Sequence, residues 1–182
     1  YRSVGMESLG FIPLERIDSS RIVPTEMDFI FRSQLLKGYV HDQGAAMQGG
    51  VGGHAGVFAN ANDIAKIMQM YIQGGEYANV RYISEETINE FTKCQFPEDE
   101  NRRGAGFDKP VLDEKLSGPT CKGISKNSFG HSGFTGTLVW ADPETNLIYV
   151  FLSNRIHPDT ENKKLITMNV RTEIMKVIYD SL

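Results

Sequence analysis

Three clusters in this sequence carry residue types that do chemistry. The first is Gly130-His131-Ser132-Gly133-Phe134-Thr135-Gly136-Thr137. Here the imidazole of His131 and the hydroxyls of Ser132, Thr135 and Thr137 share a stretch in which glycines at 130, 133 and 136 leave the backbone bare. Glycine inside a strand often marks a place where a ligand or another backbone comes close. A bare edge with hydroxyls and one titratable ring suits a substrate-facing wall; a glycine-rich strand used only for packing is the alternative, and composition does not separate them. The second cluster is Gly49-Gly50-Val51-Gly52-Gly53-His54-Ala55-Gly56, a tight, backbone-exposed loop. Its one large polar side chain, His54, is either a loop brace or a group presented to a cleft. A glycine loop before a helix also invites phosphate binding, but the Gly-Lys-Ser/Thr ending and the dinucleotide spacing are both absent. The third is Val40-His41-Asp42. Neighbours in sequence rarely face each other, so a solvated turn or a loop-bracing contact is favoured over a catalytic pair.

The elements that must position these clusters follow from the apolar pattern. Thr137-Leu138-Val139-Trp140 and Leu147-Ile148-Tyr149-Val150-Phe151-Leu152 flank the turn residues Asp142 to Asn146 and read as a strand pair. Gly130 to Thr137 reads as the opening half of the first of these strands. The second run is apolar without alternation, which predicts cover on both faces. A helix follows the glycine loop, capped by Asn60 or Asn62, with Asp63 in its first turn. Its apolar face is Ile64, Ile67, Met68, Tyr71 and Ile72, and Gly74-Gly75 stops it. Gly75 to Ile83 is a turn with a short extended piece, and Ser84 caps a second helix with Ile88 and Phe91 on its inner side.

The remaining segments are less regular. Residues 1–48 show no sustained period, which is unusual in a compact domain. Pro97 to Arg103 is a charge run, most simply a solvated loop. Gly104-Ala105-Gly106-Phe107 is a candidate strand start, and Lys115 to Asn127 a connection. Pro158-Asp159-Thr160 starts a last helix whose stripe Leu165, Ile166, Val170, Ile174, Val177 and Ile178 is long enough to cover a sheet face. The resulting class is α+β, with an antiparallel sheet and flanking helices.

Bulk properties set limits. With 182 residues, 40% hydrophobic and 23% charged, the chain is that of a globular domain. A net charge of −4 gives no basic footprint for nucleic acid. No apolar run approaches the about 20 residues that span a bilayer. Cys94 and Cys121 fit neither a disulfide scaffold nor a metal site by spacing, and whether they pair is not readable. The chain opens at Tyr1-Arg2-Ser3 rather than at Met, so we expect it to be part of something longer.

Taken together, Gly53-His54-Ala55-Gly56-Val57-Phe58-Ala59-Asn60-Ala61-Asn62-Asp63-Ile64-Ala65-Lys66, Gly104-Ala105-Gly106-Phe107, Phe129-Gly130-His131-Ser132-Gly133-Phe134-Thr135-Gly136-Thr137 and Leu152-Ser153-Asn154-Arg155 resemble the serine β-lactamase and penicillin-binding-protein superfamily, in its class C-like branch. The similarity runs over nearly all of this chain but over only the C-terminal part of that family's domain. It implies a single unit across 1–182: an irregular segment at 1–48, glycine loop and helices at 49–93, sheet strands at 104–153, and a C-terminal helix at 159–182. The string also looks like a bacterial subgroup in which such a domain follows a family 3 glycoside hydrolase in one polypeptide.

The resemblance implies an acyl-enzyme mechanism on an ester, amide or peptide, with a peptide, glycan or other small-molecule substrate and with neither cofactor nor metal. That mechanism needs a nucleophilic serine in Ser-x-x-Lys and a Tyr-x-Asn or Ser-x-Asn element. No serine here has a lysine three positions on. Tyr77-Ala78-Asn79 and Ser125-Lys126-Asn127 match the second pattern, but the first lies after the glycine loop rather than well before it, and the second abuts the His131-Ser132-Gly133 strand and cannot also stand on the opposite wall, so we read both as chance. The nucleophile, its lysine and the tyrosine are thus expected before Tyr1, and the isolated chain is expected to be inactive. His131-Ser132-Gly133 corresponds to the family's Lys/His-Thr/Ser-Gly strand motif. By resemblance Phe134 supplies an oxyanion-hole N–H, His131 and Ser132 bind a carboxylate or assist proton transfer, and Gly133 lets substrate backbone lie alongside. Thr135, Gly136 and His54 are implied substrate contacts. Histidine in place of lysine removes a fixed positive charge, which favours an esterase- or peptidase-like hydrolase over a true β-lactamase. A periplasmic or extracellular location is implied, and a catalytically inactive module that binds cell-wall or glycan fragments is the alternative.

Overall fold

A computed structural model describes residues 1–99, 101–113 and 115–182. The first segment carries short 3-10 turns at Arg2–Val4, Pro13–Glu15 and Ser19–Arg21, then strands β1 (Met27–Asp28) and β2 (Gln34–Leu35), which pair as a hairpin, then helix α1 (Gln43–Met47). The residues read as irregular are therefore ordered in small pieces. No long period exists in them because each piece spans only two to five residues. Asp42 caps α1 by accepting from the Ala45 N–H at 2.8 Å.

Helix α2 (Ala61–Ile72) starts at Asn60, whose side chain accepts from the Asp63 N–H at 2.8 Å. Strands β3 (Glu76–Tyr77) and β4 (Val80–Arg81) form a two-residue hairpin with Ala78 and Asn79 at its tip, both at positive φ. Tyr77-Ala78-Asn79 is thus hairpin material, and Tyr77 packs with Val4, Met6 and Leu9. Helix α3 (Glu85–Thr92) is capped by Ser84.

The central sheet has the order β5 (Phe129–Ser132), β6 (Leu138–Asp142), β7 (Leu147–Phe151), antiparallel throughout. This corrects the single strand expected from Gly130 onward. Gly133 to Thr137 is a turn, closed by Gly133 N–H to Thr137 O at 2.8 Å and Gly136 N–H to Gly133 O at 3.0 Å. Its second half cannot continue as a strand, because Gly136 sits at φ 108, where any Cβ would also meet Ser153 Oγ at 2.6 Å.

Pleating sorts the sheet's side chains onto two covers. Phe129, Val139, Ala141 and Ile148 face α2 and meet Ile64, Ile67, Met68 and Tyr71. Leu138, Trp140, Tyr149 and Phe151 face the C-terminal helix with Cys121 and Ile124. Cover on both faces is why β7 shows no alternation. The candidate strand at 104–107 reduces to one bridge, Asp108 with Gly130.

The last helix is shorter than expected. A cis His157-Pro158 bond precedes it, α4 covers only Lys164–Thr167, and Asn169 at φ 52 separates it from α5 (Val170–Tyr179). The buried face of α5 is Met175, with Ile178 and Tyr179 packed beside it. Ile166, Ile174 and Val177, assigned by period to the covered stripe, are exposed.

One polar knot sits within this apolar packing. Asp142 is almost fully buried and accepts from Ser125 N–H and Oγ–H, Glu144 N–H and Tyr179 Oη–H. Ser125-Lys126-Asn127 is spent on this knot and its flank, since Asn127 Nδ2 donates to Glu144. Burial works to raise the Asp142 carboxyl, but the Ser125 and Tyr179 hydrogen bonds outweigh it and leave it lowered. Both thiols, Cys94 and Cys121, are free.

Candidate active site

β5 is an edge strand, and its sequence decides how much of that edge stays open. Gly130 exchanges both backbone hydrogen bonds with Asp108, at 2.7 and 3.1 Å, so even-numbered positions of β5 turn their backbone groups away from β6. Ser132 has the same parity and lies past the bridge. Gly130 itself must be glycine, because a Cβ would lie 2.6 Å from the Trp140 ring and 2.1 Å from Val139 O.

His131 is exposed and fixed at both ring nitrogens. Arg103 Nη1–H donates to Nε2 at 2.8 Å, and Nδ1 lies 2.7 Å from Ser132 O. A guanidinium only donates, so Nε2 must accept and the proton sits on Nδ1, which donates to the Ser132 carbonyl. The positive charge beside this histidine is therefore carried by Arg103. Its guanidinium is half-exposed and stands 3.7 Å from Asp108, which is paired more closely with Arg102 at 2.8 Å.

The turn after Ser132 aims one backbone N–H outward. Gly133 O accepts from Gly136 inside the turn. A trans peptide points its C=O and N–H in opposite directions, so the Phe134 N–H of that same peptide unit faces out, and it meets no acceptor among the described residues. The next two carbonyls are held by one side chain and its backbone: Arg155 Nε–H donates to Phe134 O and Arg155 N–H to Thr135 O, both at 2.9 Å. An outward, unpaired backbone N–H is the kind of donor that can stabilise a developing oxyanion.

The structure brings His131, Ser132, Gly133 and Phe134 together and distributes the other candidates. Thr135 lies on the turn. Gly136 is buried behind it against Ser153 and Leu165, in the turn's support. Gly133 has a packing reason to be glycine, since a Cβ there would lie 2.5 Å from Thr137 Oγ1. His54 pairs with Asp42 at 2.9 Å while remaining more than half exposed, so it braces the loop to the cap of α1. Asp42 is lowered, first by the Ala45 N–H and then by His54. His41, favoured as a loop brace, does pair with Glu26 across its own segment, and it also stacks on Phe134 with ring centroids 5.4 Å apart and an 18° interplanar angle.

Sequence reasoning missed Arg103, Arg155 and Glu26. Arg103 was absorbed in a charge run, of which Glu100 lies outside the described residues. The signal available was the lost lysine charge at 131, which calls for a cation from elsewhere without saying which. A cavity of about 290 Å³ lined by Ser153, Asn154, Arg155, Asn162, Lys164, Leu165 and Val170 lies behind the turn, away from His131.

The class defined by this sheet, its helix covers and the His131-Ser132-Gly133 edge is the β-lactamase family, to which this chain belongs: the family model described as Beta-lactamase matches residues 18–169. The chain is 34% identical to proteins described as candidate D-alanyl-D-alanine carboxypeptidases in Salmonella agona and Salmonella newport, with 91% of this chain aligned in each case. It spans 40% of the length of those relatives. The crystal structure of a β-lactamase from Mycobacterium bovis matches with a TM-score of 0.52 at 20% identity, over 70% of this chain and 46% of that one, which shows the shared α+β fold. Among the described residues no helix is long and apolar enough to cross a membrane.

Proposed function

We propose that this chain forms one wall of a serine acyl-transfer site, of peptidase or esterase type, that takes an acyl donor with a free carboxylate. Ser132 and the Arg103 guanidinium hold the carboxylate, His131 fixes the position of Arg103 against the strand edge, and Phe134 N–H is one oxyanion donor. The nucleophile, its lysine and a proton-shuttling tyrosine belong to sequence outside these residues. The observation that carries the proposal is the chain of hydrogen bonds from Arg103 through His131 to Ser132 O, beside the unpaired Phe134 N–H. Relatives described as carboxypeptidases of D-alanyl-D-alanine support a cell-wall peptide as the substrate class and a location outside the cytoplasmic membrane.

The test is made on the intact protein that carries this chain. Acylation by a fluorescent penicillin and hydrolysis of nitrocefin and of a p-nitrophenyl ester establish the activity. Paired depsipeptide esters with a free or an amidated C-terminus then separate the carboxylate's share. Arg103→Ala is expected to lower kcat/KM for the free acid by about 10- to 100-fold, the worth of a hydrogen bond to a charged group, and to leave the amidated ester within about threefold. Equal losses on both substrates would remove Arg103 from the carboxylate site. Binding of cell-wall peptide with no acylation of the wild-type protein would make this a binding module.

A further inference from the structure

Segment 24–41 lies against the turn that carries the oxyanion donor, and one of its residues, His41, grips that turn. Glu26 Oε2 meets His41 Nε2 at 2.5 Å, and both side chains are largely buried. The His41 ring lies flat on the Phe134 ring. From the other side of the same residue Arg155 places its guanidinium 4.7 Å from the Phe134 ring centroid while its Nε–H holds the Phe134 carbonyl. Both grips rest on one support. Met27 N–H donates to Pro158 O, and Asn154 Nδ2 donates to Pro24 O, so the hairpin bearing Glu26 is fastened to the segment bearing Arg155.

We infer that Glu26 and His41 are positioning residues for the oxyanion donor: the carboxylate orients the imidazole, the imidazole fixes the Phe134 ring, and the ring with Arg155 fixes where the Phe134 N–H points. Phe134, 62% exposed on a turn, has little burial to hold its ring; stacking on His41 and the Arg155 cation supply the hold instead. A donor held by such contacts is sensitive to small shifts, because a displacement of about 1 Å in reacting geometry costs about 100-fold in rate. The inference rests on the acyl-transfer reading for its kinetic consequence, but its geometric part does not depend on that reading.

The experiment compares wild type, His41→Ala, His41→Phe and Glu26→Gln in the intact protein, each by crystal structure and by ester hydrolysis. In His41→Ala the Phe134 ring is expected to leave its place and the Phe134 nitrogen to move by about 1 Å, with kcat falling about 100-fold and KM within twofold of wild type. His41→Phe keeps a flat ring against Phe134 and is expected to restore kcat to within about threefold. Glu26→Gln keeps a hydrogen-bond partner for the imidazole and is expected to lie between wild type and His41→Ala. A His41→Phe enzyme no better than His41→Ala would overturn the inference, because a flat ring on Phe134 would then not suffice to hold the donor. A rise in KM without loss of kcat would overturn it by making His41 a substrate contact. Should the wild-type protein hydrolyse nothing, the acyl-transfer reading falls and the structures alone decide: an unmoved Phe134 nitrogen in His41→Ala would sink the positioning role.

Discussion

The two sides of the candidate site are held together by different physics. The wall itself, β5 to β7 between α2 and α5, is set by apolar burial: Trp140, Leu138, Ala141 and Met175 are each at most 1% exposed. The wrapping segment, residues 1–58, buries apolar residues of its own, Met6 and Leu36 among them, but the parts that bear its histidines are pinned by polar contacts. Arg32 bonds Asp28, Val40 O and His41 O; Glu26 meets His41; Asp42 meets His54; and Ser8 donates to Asp63 from both its N–H and its hydroxyl. The difference teaches that His131 and Ser132 inherit the rigidity of a packed sheet, whereas His41 and His54 sit on a layer whose placement depends on charge and hydrogen-bond geometry. That layer also shows apolar surface, with Phe29 77% and Ile30 92% exposed at the tip of the first hairpin.

The largest expected effect tests the packed side. Trp140→Ala empties the space between β6 and α5 and is expected to destabilise the protein by about 3–5 kcal/mol in urea or guanidinium denaturation. A loss no larger than that of any single wrap variant would break the contrast.

The next prediction sharpens it at the one place where the packed side relies on a polar group. Asp142→Ala leaves Ser125 and Tyr179 without their acceptor and is expected to cost about 1–3 kcal/mol. The Tyr179 phenol is pushed well above its usual range, by burial first and then by the hydrogen bond it donates to the Asp142 carboxylate. The tyrosine absorbance titration in Asp142→Asn should therefore show an ionisation moved back toward the ordinary range.

The smallest effect belongs to the wrap and appears only with pH. The Phe31 N–H, followed by Arg32, holds the Asp28 carboxyl down at about 2. A depressed folded value means that this group's stabilisation is fully present above the unfolded carboxylate range near 4. It is lost as the pH falls from there toward about 2. Thermal midpoints of Asp28→Asn should thus lie below wild type at pH 6 and converge with it as the solution is acidified through that window. A constant offset across the window would remove Asp28 from the acid response.

Much of the helical scaffold was legible because its determinants are local. The Asn60 and Ser84 caps, the Ile64-Ile67-Met68-Tyr71 face and the Gly74-Gly75 stop are each decided within a turn or two of chain. The apolar run at 147–151 announced its two covers. The period failed at the C-terminal helix for a physical reason. A stripe states which residues share a face, and Ile174 with Val177 does share one, but burial went to Met175, Ile178 and Tyr179 because Trp140 and Tyr149 stand on that side. The turn at 133–137 was read as strand because glycines and β-branched residues suit both. The positive φ of Gly136, its packing against Ser153 and the hydrogen bonds that close the turn separate them.

By itself, then, the sequence determined the class of fold, the two helices α2 and α3 with their caps, and a histidine at position 131 where the family motif also allows lysine. Tertiary structure alone decided that Arg103 supplies a cation there, that His41 pairs with Glu26 and reaches Phe134 rather than Asp42, and that Arg155 converges with His41 on the same turn. These partners lie 15 to 93 residues apart along the chain. Contacts at such separations leave no periodic trace, because side chains so distant meet only after the sheet has chosen its order and the hairpin its anchor.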